Sequence, residues 1–129
     1  MILLLDTHLL LWAAYEPRRL PEAARKLIDD ETNDLVFSAA SIWEVTIKAS
    51  LGRANFDIDS RVFRRGLLES GYIELPVTSA HATAVADLPG IHRDPFDRML
   101  VAQSRVEGFT LLTNDDLVAA YGAPTRLTR

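Results

Sequence analysis

The chain has 129 residues, 48% hydrophobic and 25% charged, an ordinary globular composition for one domain spanning residues 1–129 that excludes a disordered chain. No apolar run approaches the ~20 residues that cross a bilayer, no basic region precedes the first apolar run as in a secretory signal, and the absence of cysteine excludes disulfides, iron–sulfur clusters and thiolate zinc sites, all as expected of a cytoplasmic protein. The net charge of −4 runs against nucleic-acid binding, but twelve of the fourteen cations are arginines, the better bidentate phosphate ligands, and a carboxylate metal site lowers the charge by itself.

The first element is ILLLD (residues 2–6), a continuous apolar run of strand length, as expected for a strand covered on both faces. THLLLWAAY (7–15) reads as a short helix stopping before Pro17, with more apolar surface than a small monomer needs; Trp12 and Tyr15 are contact candidates, although core packing suits Trp12 better. PEAARKLIDDE (21–31) is a helix opening on proline, and DLVFS (34–38) a second short strand. Ser38 then caps AASIWEVTIKASLG, which closes on Gly52. SRVFRRGLLES (60–70) is a helix whose Arg61, Arg64 and Arg65 share one solvated face. YIELP (72–76) is a strand and SAHATAVADL (79–88) a helix; the turn PGIHRD leads into the helix PFDRMLVAQSRVEG (95–108). TLLT (110–113) is a strand, DLVAAY (116–121) a last helix, and TRLT (125–128) an edge strand. This alternation predicts an α/β fold: a mostly parallel sheet of about five short strands with helices on both faces, an α/β/α sandwich. Sites in such sheets form at the carboxyl ends of the strands, where Asp6 and TNDD (113–116) fall.

Each acid near that edge has an ordinary structural role available. Asp6 can cap the helix that follows it. Glu44, in a helix flanked by Ile42, Trp43, Val45 and Ile47, can pair with Lys48 at i,i+4. Such a helix is expected to be buried, so that its carboxylate is paired or metal-bound. In RDPFDRM, Asp94 is the expected N-cap, Pro95 the first helical residue and Asp97 the third, where an acid suits the helix dipole. Asp115 and Asp116 follow a strand directly, and one of them is expected to cap. Yet four acids from four segments around one edge repel each other without a cation, and hard oxygen ligands suit Mg²⁺ or Mn²⁺.

With LLLDTHLLLW, SAASIWEVTIKASLGR, HRDPFDRMLVAQS and LLTND in this order, the chain resembles the PIN-domain ribonucleases, specifically VapC-type toxins of type II toxin–antitoxin pairs. The resemblance carries the family's acidic quartet onto Asp6, Glu44, Asp97 and Asp115, as joint catalytic residues and metal ligands. Thr113 matches a small polar position beside the quartet. Asp116 is the alternative fourth acid, although the Thr-x-Asp spacing favours Asp115, and Asp94 is an accessory candidate. The resemblance implies metal-dependent endoribonuclease activity, with one or two Mg²⁺ ions (Mn²⁺ as substitute) and in-line attack of water on an RNA phosphodiester. It also implies a homodimer and a VapB-type antitoxin whose C-terminal segment fills the active-site groove.

Arg93 and Arg98, flanking Asp94 and Asp97, are candidates for the RNA phosphate. The scheme requires no histidine: His8 reads as a first-turn residue, and His81 and His92 lack zinc-ligand spacing. A haloacid-dehalogenase-like phosphatase wants a second Asp where His8 stands, and a phospho-accepting receiver domain wants acids within residues 1–5 and a late lysine, which are missing. A non-cleaving component that only binds RNA or antitoxin is the alternative outside enzymology.

Overall fold

The computed structural model describes residues 1–52 and 57–129; Arg53, which ends the stretch SAASIWEVTIKASLGR, lies outside the described residues. The first strand, β1 (Ile2–Leu5), is followed by α1 (Thr7–Tyr15) and α2 (Glu22–Asp29). Next come β2 (Asp34–Ser38), α3 (Ala39–Ser50), α4 (Ser60–Glu69) and β3 (Ile73–Leu75). The last part of the chain holds α5 (Ser79–Ala84), α6 (Pro95–Glu107), β4 (Thr110–Thr113), α7 (Asp116–Ala119) and β5 (Thr125–Leu127).

All strand pairings are parallel, in the order β3-β2-β1-β4-β5. Because β1 is central, it must be apolar on both faces, which explains why Leu3, Leu4 and Leu5 run consecutively and are all fully buried. Leu3 and Leu5 join a core with Leu9, Leu10, Ala24, Phe37, Val45 and Phe63 from β2 and the helices α1 to α4. Leu4 points the other way, to Val36, Leu100, Val101, Leu111 and Val118, beneath α6 and α7. The two cores on opposite faces make the fold an α/β/α sandwich. The chain leaves β1 towards β2 and β3 on one side, and β4 and β5 lie on the other. This reversal opens a crevice at the carboxyl ends of β1 and β4.

Several elements differ from the sequence reading in ways that local chemistry explains. The segment 79–88 is α-helical only to Ala84 and continues as a 3₁₀ turn, Val85–Asp87. Pro89 forces Leu88 out of the helical region (ψ 139°) and tightens the last turn. Pro21 lies just before α2 rather than inside it, and Asp30 ends that helix by accepting hydrogen bonds from the Thr32 backbone and hydroxyl. The strand expected over 72–76 is confined to Ile73–Leu75, and the helix over 116–121 to Asp116–Ala119. Gly108 at φ +73° ends α6 in the left-handed region, which a residue with a Cβ adopts only under strain.

The expected apolar surface lies elsewhere than predicted. On α1, Leu9 and Leu10 are fully buried and Tyr15 alone among its large apolar side chains is well exposed. Helix α3, expected to be covered, instead leaves Trp43 62% exposed. Trp43 stacks edge-on against Phe96, with ring centroids 5.3 Å apart, over an apolar groove of about 660 Å³ between α3, α5 and α6.

Candidate active site

Asp6 is the residue after β1, so sheet geometry delivers its carboxylate to the crevice. It does cap α1: Oδ1 accepts the Leu9 N–H at 2.9 Å. Its other oxygen accepts the Thr113 hydroxyl at 2.5 Å. Capping and site placement are therefore two uses of one side chain. Thr113 ends β4, and its Oγ1 also accepts the Asp115 N–H at 3.0 Å. One buried hydroxyl thus ties the loop after β4 to the carboxylate after β1.

Glu44 reaches the same place from α3. Ser38, at the end of β2, caps that helix by accepting the Ala40 N–H, and Ser41, one turn before Glu44, accepts the Thr7 hydroxyl at 2.9 Å. Thr7 adjoins Asp6, so this contact sets the spacing between the two buried acids. The expected Lys48 pair is present on Glu44 Oε2, while Glu44 Oε1 is buried without a hydrogen-bond partner. A buried carboxylate oxygen left unpaired is costly and calls for a cation or another donor.

Asp97 occupies the first turn of α6. Asp94 caps that helix by accepting the Phe96 and Asp97 N–H groups, which accounts for Asp94 as a cap. The Asp97 carboxylate is turned away from capping and lies 3.0 Å from His92 Nε2. Asp115 caps α7 through Oδ1, which accepts the Leu117 N–H, and its Oδ2 lies 3.7 Å from the same His92 nitrogen. Ligating atoms of His92, Asp97 and Asp115 all fall within 4.8 Å of one another. Asp116 points elsewhere and pairs with Arg129.

The electrostatics follow from this crowding. Burial pushes the Asp6 carboxyl above its usual range, against the lowering effect of the Thr113 and Leu9 hydrogen bonds. Burial also pushes Asp97 up to about 7, and repulsion from Asp94, Glu44, Asp6 and Asp115 adds to the shift. The four acids therefore feel one another's charge. The set runs from Asp6 and Glu44, each 3% exposed, outward to Asp97 and Asp115, whose side chains are 20% and 38% exposed. A buried carboxylate floor with one orphaned oxygen and a more open rim suits a hard divalent cation such as Mg²⁺ or Mn²⁺.

The sequence reading missed His92, which had been weighed only for zinc spacing. Its Nδ1 accepts the Asp94 N–H at 3.3 Å, which turns the Nε2 edge of the ring to the Asp97 carboxylate, 3.0 Å away. The tight PGIHRD turn ahead of the Asp94 cap was the available signal. The turn is held by Arg98, whose guanidinium donates to the carbonyls of Val85, Pro89 and His92 and to the Tyr121 hydroxyl. Tyr121 Oη in turn accepts the His92 N–H at 2.9 Å. Arg98, expected at a phosphate, is engaged in this scaffold, because it lies one helical residue past Asp97 and faces back over the turn. Arg93 is exposed beside it. His81 is remote from the site: it caps α5 through Thr78 and joins α5 to α6 through Glu107 at 2.7 Å.

Comparison with known proteins adds four findings. The family model described as "PIN domain" matches residues 3–123. Ribonuclease VapC22 of Mycobacterium tuberculosis (strain ATCC 25618 / H37Rv) is 30% identical over 125 residues, covering 97% of this chain and 95% of that protein. Among solved structures, VapBC2 from Rickettsia felis, bound to a DNA fragment from its promoter, superposes with a TM-score of 0.71 at 14% identity, over the full length of both chains. The sarcin–ricin-loop-cleaving toxin VapC20 of M. tuberculosis superposes with a TM-score of 0.64 at 18% identity, over 93% of this chain and 95% of that one.

Proposed function

The chain belongs to the PIN-domain family as a VapC-type member, and we propose that it is a metal-dependent endoribonuclease, the toxin of a VapBC-type pair. The observation that carries this reading is the meeting of Asp6, Glu44, Asp97 and Asp115, from four separate segments, at the carboxyl ends of β1 and β4. In this reading the four carboxylates hold Mg²⁺ or Mn²⁺. When bound, the ion offsets charge on the attacking and leaving oxygens of in-line phosphodiester hydrolysis.

The chain's own residues prepare that chemistry. Thr113 and the Leu9 N–H fix both oxygens of Asp6, so the buried acid needs little reorganisation. Glu44 keeps Oε1 open for the cation and shares Oε2 with Lys48. His92 orients Asp97, which must release its proton before it can act as a ligand. Arg93, exposed at the rim, is the remaining candidate for the RNA phosphate.

The same reading gives the protein a VapB-type antitoxin, a homodimeric state and a cytoplasmic location. The exposed Trp43 and the apolar groove beside it support a protein–protein contact. Among the described residues no helix is long and apolar enough to cross a membrane.

The test is RNA cleavage by the purified, antitoxin-free chain with Mg²⁺ or Mn²⁺, with EDTA, and with folded Asp6→Asn and Asp97→Asn variants. The expected result is cleavage that requires the metal and disappears in both variants. A folded, metal-loaded protein that cuts transfer, ribosomal and messenger RNA equally little overturns the enzymatic reading and leaves the non-cleaving alternative.

A further inference from the structure

A second cleft runs outward from the carboxylates between α1 and α3, with a volume of about 350 Å³. Its inner end is formed by Thr7, Glu44 and Lys48, and its outer part by His8, Trp12 and Arg19. The carboxylate chemistry uses none of these three outer residues. The His8 and Trp12 rings lie 6.1 Å apart and tilted by 44°, and the Arg19 guanidinium sits 4.9 Å over the indole. His8 is exposed and Trp12 only half-buried, so the aromatic pair is open to a ligand. Each cation of the cleft has an acidic neighbour, Arg19 with Glu16 at 3.3 Å and Lys48 with Glu44 at 2.5 Å, and Lys48 is the one placed where the cleft meets the site.

Aromatic faces beside a cation suit a nucleotide: every base has a π-face that stacks on an aromatic ring, and the phosphate takes the ammonium. Packing alone accounts for the inner edge of Trp12, which abuts the α1–α4 core. It does not account for an exposed histidine and an arginine set against that indole, in a cleft that carries a lysine at its inner end beside a hydrolytic site. We propose that the α1–α3 cleft binds the RNA nucleotide adjoining the scissile phosphate, with its base against His8 and Trp12 and its phosphate at Lys48. The Lys48 ammonium carries three N–H donors and gives one to Glu44 Oε2, so a phosphate can be met without breaking that pair. The inference rests on the ribonuclease reading above and assigns a substrate subsite to it.

The experiment measures binding of fluorescein-labelled ten-residue oligo(A) and oligo(U) ribonucleotides to the full antitoxin-free chain in EDTA, where cleavage is blocked. Trp12→Ala and Lys48→Met are each expected to weaken binding by about ten-fold, with Trp12→Phe restoring most of it. Should Trp12→Ala fail to fold, Trp43→Phe leaves Trp12 as the sole tryptophan, and its emission should be quenched by the oligonucleotides. In cleavage assays the two variants should raise KM more than they lower kcat. Unchanged affinity in both variants together with unquenched Trp12 emission overturns the subsite. So does loss of antitoxin binding with RNA affinity intact, because the cleft would then belong to a protein segment. If the wild-type protein cleaves RNA but the variants keep its KM, the subsite falls while the function stands. If it cleaves no RNA yet binds oligonucleotides through Trp12 and Lys48, the cleft stands and the enzymatic reading falls.

Discussion

Asp97 shows how a crowded, buried acid works against stability. Its carboxyl lies at about 7 in the folded chain against an ordinary 3.8, with burial as the largest cause. A raised folded value means that the native state holds the proton more tightly than the unfolded chain. The resulting stabilisation is complete below about pH 4 and is lost as pH rises to about 7; Asp6, also raised, acts in the same direction. Metal-free protein should therefore unfold at lower urea concentration at pH 8 than at pH 5.5. Asp97→Asn removes the charge and should flatten that difference, raising stability at pH 8 while abolishing cleavage. A variant that loses stability at pH 8 counters this account. Thr113 works in the opposite sense, because its hydroxyl serves both Asp6 and the Asp115 N–H from a fully buried position. Thr113→Val preserves shape but strands two polar groups, and it should destabilise the protein by about 1–3 kcal/mol in urea titrations and reduce cleavage as well.

At the level of elements, the N-terminal turn of α6 and the loop before it form one unit. Asp94 caps the helix, His92 leans on that cap through its Nδ1, and Arg98 reaches back to three loop carbonyls and the Tyr121 hydroxyl. Two arginines five residues apart thus separate by role. Arg98→Met should lower the thermal midpoint and weaken Mn²⁺ binding through a loosened His92, leaving the salt dependence of RNA binding unchanged. Arg93→Met should leave the midpoint unchanged and reduce that salt slope by roughly one charge. Thermal melts and RNA titrations at several salt concentrations distinguish the pair, and an exchange of the two patterns refutes the assignment. Helix α3 carries a similar division: Val45 packs into the core, Glu44 faces the site, and Trp43 faces outward to Phe96.

For the whole molecule, the carboxylate crevice is the point where the two halves of the sheet part. Asp6 follows the central strand, Asp115 follows β4, Glu44 follows β2 by half a helix, and Asp97 begins the helix that packs beneath β4. A divalent cation held by Asp6, Glu44, Asp97 and Asp115 would join residues from both halves and should stabilise the entire fold. At 100 times the Kd, Mn²⁺ should add about 2.7 kcal/mol to unfolding stability, reversed by EDTA and larger at pH 8 than at pH 6, because the ion displaces the Asp97 proton. Calorimetry with and without metal measures both effects; a midpoint that ignores Mn²⁺ at pH 8 argues against the cation site.

Strand and helix order, the parallel sheet and the fall of Asp6, Glu44, Asp97 and one of Asp115 and Asp116 at one sheet edge were legible in the sequence, because each rests on short-range signals. Leu3, Leu4 and Leu5 announce a doubly covered strand, Ser38 and Asp94 announce helix starts, and the acids sit at fixed offsets from those signals. What depends on rotation about an axis was not legible. Only packing decides that Trp43 faces outward while Glu44 beside it is buried, that Asp115 turns inward while Asp116 meets Arg129, and that His92 rather than Arg98 reaches the carboxylates. Neighbours in sequence differ by about 100° around a helix, and which of them meets the crevice is settled by contacts from segments far away in the chain.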